Sequence, residues 1–137
     1  MRIAIIGAGA LGSAMGGALA IGGADVTLVT RNRAHVDAIA ADGLILRIDG
    51  EDRRVRLRAC LPEQAREPVD LAIVLAKSFH TEAALRGALG LVGSRTAVMS
   101  LQNGLGHEET LAAVVGPEKV LAGKTTAASV SSWPRPF

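Results

Sequence analysis

Aromatic residues are nearly missing from this chain. Its 137 residues include two Phe, one Trp and no Tyr, 2% of the total. Stacking on nucleic-acid bases relies on aromatic platforms, and Phe79, Trp133 and Phe137 supply almost none. Excess charge of one sign is scarce too: 15 Lys and Arg against 13 Asp and Glu give a formal +2. That is no nucleic-acid footprint, although it suits a small anionic ligand. A single cysteine, Cys60, excludes an intrachain disulfide, and with only three His it argues against a structural zinc site. No metal is expected, and Cys60 is expected to act as a small apolar filler. Long apolar runs are absent once glycine is considered. Residues 3–24 carry no charge until the chain reaches Asp25, but Gly7, Gly9 and Gly12 interrupt them and only Arg2 precedes them. Neither a membrane span nor a secretory leader is expected, and the default is a soluble cytoplasmic protein.

What is present is a small, aliphatic, glycine-rich chain. Hydrophobic residues make up 49% and charged residues 20%, which excludes disorder as the general state. The length suits one domain with a core of Ala, Val, Leu and Ile. There are 16 Gly, above the usual share of about 7%.

The order of segments predicts an α/β fold. Residues 2–6 (RIAII) are a short β-branched run that reads as a strand buried on both faces. Residues 7–12 form a glycine-rich turn, residues 10–21 a helix rich in Ala and Leu that stops at Gly22-Gly23, and residues 25–29 a second strand. This is one βαβ unit. A helix over 34–41 ends at Gly43. Residues 44–48 and 55–59 then flank the turn 49–52 as an antiparallel hairpin. Arg53, Arg54, Arg56 and Arg58 read as a solvated face that protects a strand edge. A polar connector over 62–68 precedes strands at 69–76, 96–101 and 120–122, which alternate with helices at 81–91 and within 104–115. The expected architecture is a Rossmann-like doubly wound, mostly parallel sheet with helices on both faces and a small antiparallel hairpin. Residues 1–130 form the domain and residues 131–137 an irregular tail.

Candidate functional residues fall where strands end. Gly7-Ala8-Gly9-Ala10-Leu11-Gly12 is G-x-G-x-x-G between a buried strand and a helix. Gly7 allows the tight turn, Gly9 lets a pyrophosphate approach the backbone, and Gly12 lets the helix pack close to the strand. The helix N-terminus then offers N–H groups to phosphates. Sites that select NAD place an acid at the end of the second strand. This chain has Thr30-Arg31-Asn32-Arg33 there and no acid before Asp37. Arg31 suits a 2′-phosphate through its planar fork, so NADPH is expected over NADH, with Arg33 as a second reader. Lys77 and Asn103 follow later strands. Lys77 could reach ribose, phosphate or substrate oxygens, or be a solvated lysine. Asn103 could bond ribose or a substrate carbonyl, or simply shape an Asn-Gly turn. The small residues 123–129 would allow close approach to the nicotinamide. His35, His80 and His107 are scattered, without a partner at triad spacing.

Taken together, the glycine hexamer, Arg31, Lys77-Ser78, Leu101-Gln102-Asn103-Gly104 and residues 123–129 resemble the ketopantoate (2-dehydropantoate 2-) reductase family of pantothenate biosynthesis. The resemblance covers residues 1 to about 130. It implies reduction of the ketone of 2-dehydropantoate to (R)-pantoate by NADPH, with the glycine loop and Arg31 on the cofactor. It also implies that Lys77 and Asn103 line the nicotinamide end in supporting catalytic roles, and that Ser129 contacts cofactor where relatives often have Ala. The family carries a helical second domain that supplies the general acid. This sequence stops at Phe137, so the chain alone is expected to bind NADPH without turning over. Partners left open are that second domain and a second copy of this chain. Rival readings are another NAD(P)-dependent dehydrogenase of the same plan and a non-catalytic NADPH-binding module.

Overall fold

The computed structural model describes residues 1–7, 9–75, 81–100 and 107–121. The chain runs β1 (Arg2–Ile6), α1 (Ala10–Ile21), β2 (Asp25–Val29), α2 (Arg33–Asp42), β3 (Leu44–Ile48), β4 (Glu51–Val55) and β5 (Arg58–Cys60). It continues through β6 (Leu71–Val74), α3 (Thr81–Gly87), β7 (Ala97–Ser100) and α4 (His107–Val115). Five strands form one parallel sheet in the order β5-β2-β1-β6-β7. An isolated parallel bridge, Val98 to Val120, extends it by one residue where a short strand over 120–122 is expected.

The sheet is doubly wound because its strands bury alternate residues on opposite sides. Ile3 and Ile5 of β1, Val26 and Leu28 of β2, and Ile73 of β6 pack with Met15 of α1 and Ile39 of α2. Ala4 and Ile6, with Val29, Ala72, Val74 and Val98, pack on the other face with Leu85 and Leu111. Ile5, Leu28, Leu85 and Leu111 are wholly buried, so the aliphatic composition supplies both layers. No helix among the described residues is long and apolar enough to cross a membrane.

The hairpin differs from expectation in its second strand. β3 pairs antiparallel with β4 over Leu44↔Val55 to Ile48↔Glu51, not with residues 55–59. The loop is only Asp49-Gly50, with φ of 52° and 78°. Two positive φ values in a two-residue turn match the twist of the flanking strands, and Asp-Gly is a favoured pair for it. Residues 58–60 leave the hairpin and extend the main sheet as β5, parallel to β2. The arginine-rich stretch is therefore split between two sheets, with Arg53, Arg54, Arg56 and Arg58 all exposed. The expected helix over 81–91 also divides, into α3 and a 3-10 turn at Leu89–Leu91.

α1 is held between the sheet and the hairpin. A methyl added at Gly16 would lie 2.5 Å from Leu28 Cδ2, and one at Gly17 would collide with Leu46 of β3. The absence of side chains at these positions lets two layers close on one helix.

Candidate functional site

The strands of the central sheet end level with one another. In register, Ile6 lies beside Val29 on one side and Val74 on the other, and Val29 lies beside Cys60. β1 is the strand at which the winding reverses, because β2 and β5 lie on one side and β6 and β7 on the other. In open α/β sheets the crevice beyond the carboxyl ends at that point receives ligands.

The glycine loop leaves β1 into this crevice. Gly7 has φ 95°, a backbone conformation that a Cβ disfavours. Its N–H donates to Val29 O at 2.9 Å, and Leu75 N donates to Ile6 O at 2.9 Å. The loop is thereby fixed between the ends of β2 and β6. Gly9 caps α1, and the helix ladder starts with Ser13 N donating to Gly9 O at 2.9 Å. The N–H groups of residues 10–12 precede that first rung and have no acceptor within the helix. The first turn of α1 holds no acidic residue to occupy its positive end. A Cβ at Gly12 would sit 2.9 Å from Gly7 O and 3.2 Å from Ile5 Cγ2, so this position closes helix onto strand. A Cβ at Gly9 would meet no described residue within 4 Å, so among the described residues the loop is open on that side. Leu11, 55% exposed, points away from the core.

Arg31 stands in the turn after β2, next to this loop. Thr30 N donates to Cys60 O at 3.1 Å, which anchors the start of the turn. Asn32 N donates to Thr30 Oγ1 at 3.2 Å, and the Asn32 side chain caps α2 by accepting from His35 N at 3.2 Å. Arg31 and Arg33 are exposed, and neither forms an ion pair with any described residue. Asp37 is exposed farther along α2.

The structure thus places Gly7, Gly9, Leu11 and Gly12 in the loop and helix start after β1, with the backbone of Ala10 opening α1, and Arg31 two residues beyond Val29, the end of the adjacent strand. Ala8, Lys77, Asn103 and Ser129 lie outside the described residues, as does His80. His107 opens α4. Sequence reasoning missed the role of His35: its Nε2 lies 3.3 Å from Oγ of Ser13, which is nearly buried on α1. The two are 22 residues apart, and a search for triad spacing had no reason to pair them. Serine in the first turn after a glycine loop was the one available signal.

A separate cavity of ≈ 550 Å³ lies beside β5 and the amino ends of β1 and β2, lined by Arg2, Asp25, Arg58, Cys60 and Glu67 among others. Cys60 is half-buried there. Burial pushes its thiol pKa up and nearby Glu63 adds to the rise, which disfavours the thiolate.

Comparison with known proteins decides the lineage. The family model described as ketopantoate reductase PanE/ApbA matches residues 3–135. The chain belongs to the ketopantoate reductase family. A 2-dehydropantoate 2-reductase of Pyrococcus horikoshii is 41% identical over 135 residues, covering 98% of this chain and 42% of the relative. One of Halobacterium salinarum is 37% identical, covering 98% and 44%. This ketopantoate reductase family member therefore spans about two fifths of the length of the curated relatives it matches. Among solved structures, 2-dehydropantoate 2-reductase from Geobacter metallireducens superposes with TM-score 0.77 at 35% identity, covering 88% of this chain and 40% of that one. A D-mandelate dehydrogenase with NADH and anilino(oxo)acetate superposes with TM-score 0.82 at 34% identity, covering 88% and 39%. The family's name denotes an oxidoreductase, and the Rossmann-like fold described above is shared with these neighbours.

Proposed function

We propose that residues 1–130 are the NADPH-binding domain of a 2-dehydropantoate 2-reductase, which reduces the ketone of 2-dehydropantoate to (R)-pantoate. The observation that carries the cofactor reading is Arg31, exposed and without an ion pair to described residues, in the turn beside the glycine loop. The free N–H groups at the start of α1 take the pyrophosphate, and the open side of Gly9 admits it. Arg31 takes the 2′-phosphate by paired, charge-assisted hydrogen bonds, with Arg33 beside it.

NADPH, when bound, supplies the hydride. The protein must hold the ketone against the nicotinamide and provide a proton to the developing alkoxide. Lys77 and Asn103 follow β6 and β7 by three residues each, and we assign them to the nicotinamide end in supporting roles. Ser129 is assigned to cofactor contact. The general acid is assigned to chain beyond these residues, in keeping with the share of each relative that is matched. On this reading residues 1–130 bind NADPH. The substrate is a small keto acid and the setting is cytoplasmic.

The similarity to a D-mandelate dehydrogenase bound to NADH favours one second reading, an NADH-dependent 2-keto acid reductase of the same plan. Parallel calorimetric titrations with NADPH and NADH separate the two. Arg31→Ala should weaken NADPH by about tenfold or more, the value of one or two charge-assisted hydrogen bonds, and leave NADH unchanged. Equal losses for both nucleotides, or tighter NADH binding by the unaltered chain, would favour the second reading.

A further inference from the structure

The Ser13–His35 contact is a polar link between two helices that pack on the same face of the sheet. α1 packs mainly on β1, β2 and the β3–β4 hairpin and α2 mainly on β5, and Met15 and Ile39 share one apolar cluster beneath them. Ser13 Oγ and His35 Nε2 meet at 3.3 Å between them. The same histidine's backbone N–H is held by Asn32 Oδ1 at 3.2 Å, and Asn32 N is held by Thr30 Oγ1 at 3.2 Å. A hydrogen-bonded path therefore runs from the first turn of the glycine-loop helix to both residues that flank Arg31. It is continuous whichever ring nitrogen carries the proton. The serine hydroxyl donates to an unprotonated Nε2 and accepts from a protonated one.

This path has a consequence if the cofactor reading above is right, and it rests on that reading. A dinucleotide presents its pyrophosphate and its 2′-phosphate at a fixed separation. Here α1 receives one and the turn after β2 receives the other, so affinity for the pair depends on the spacing between the two elements. We propose that the Ser13–His35 hydrogen bond sets this spacing. His35 is then a positioning residue for recognition of the 2′-phosphate, although it need not touch the cofactor.

The test is a double-mutant cycle on the full chain, with Ser13→Ala, His35→Ala and the two combined. His35→Gln is added because its amide can still reach the serine. NADPH and NADH are titrated by calorimetry, and thermal melts report folding. Each single variant should lose roughly threefold to tenfold in NADPH affinity, the worth of one hydrogen bond, with under about twofold change for NADH. The combined variant should lose no more than either single one, and His35→Gln should recover most of the loss. A purely structural bond would instead lower the affinity for both nucleotides together. That outcome, or unchanged NADPH affinity in Ser13→Ala, overturns the proposal even where Arg31→Ala still discriminates. If Arg31→Ala does not discriminate, the cofactor reading itself fails and this inference falls with it. Ser13→Ala removes a single oxygen, so it decides the matter should His35→Ala fail to fold.

Discussion

At the amino end of the parallel sheet charged side chains meet one another, and among the described residues at the carboxyl end they do not. Arg2 lies 3.3 Å from Glu67 and 4.0 Å from Asp25, and Arg58 lies 3.6 Å from Asp25. The Arg2 backbone N–H also donates to Asp70 at 2.7 Å. At the other end Arg31 and Arg33 face solvent without an ion pair to described residues, beside a helix N-terminus with no acid in its first turn. Both ends hold arginine, so arginine content alone does not distinguish them. Pairing does. An arginine already beside a carboxylate has less attraction to offer an incoming anion, whereas one without such a neighbour keeps it.

This contrast can be broken at either end. The largest effect is expected at Gly12, where Gly12→Val would drive side-chain atoms into Gly7 O and Ile5. Overpacking of this kind costs about 1–3 kcal/mol, and the displaced loop should lose nucleotide binding entirely. Denaturant melts and calorimetry on the same sample check both. Next comes a pair of arginine deletions. Arg31→Ala should lose NADPH selectively, whereas Arg58→Ala at the amino end should leave both nucleotides untouched. A cofactor effect from Arg58→Ala would end the distinction between the ends.

Cys60, which closes β5 and lines the cavity beside it, gives a pH test. Its thiol pKa is raised in the folded chain, so folding favours the protonated form. Its contribution to stability is complete below the thiol's unfolded pKa and is lost as pH rises through the folded one. Relative to Cys60→Ala, the unaltered chain should therefore lose denaturant stability as pH rises above the ordinary thiol value of 9.0, and alkylation at neutral pH should be slow. The smallest effect belongs to Arg2→Ala. Its side chain is 49% exposed, so losing both ion pairs should cost less than about 1 kcal/mol and leave nucleotide binding unchanged.

The parts of the fold that depend on local pattern were legible in the sequence. The RIAII run, the glycine hexamer and the strand over 25–29 identify the βαβ unit, because each signal lies within a few residues. The arginine-rich segment was harder. Alternation over 55–59 imitates a hairpin strand, while the Asp49-Gly50 pair marks a two-residue turn that moves the partner to 51–55. Turn chemistry outweighs alternation there because it fixes the register directly. At the site, the glycines and Arg31 could be placed from the strands they follow. Ser13 and His35 could not, since their contact depends on how α1 and α2 lie across the sheet.

Gly9 separates two kinds of selection. At the first position of a helix cap, serine is a better residue than glycine, since its hydroxyl can accept from the open N–H groups. A Cβ there meets no described residue within 4 Å. Evolution for thermal endurance alone would therefore let this position drift toward a better cap. On the proposed cofactor reading each such step would fill the space a pyrophosphate needs, so the chain would become sturdier as it lost that ligand. A laboratory screen that scored only soluble yield would rank those descendants as improvements.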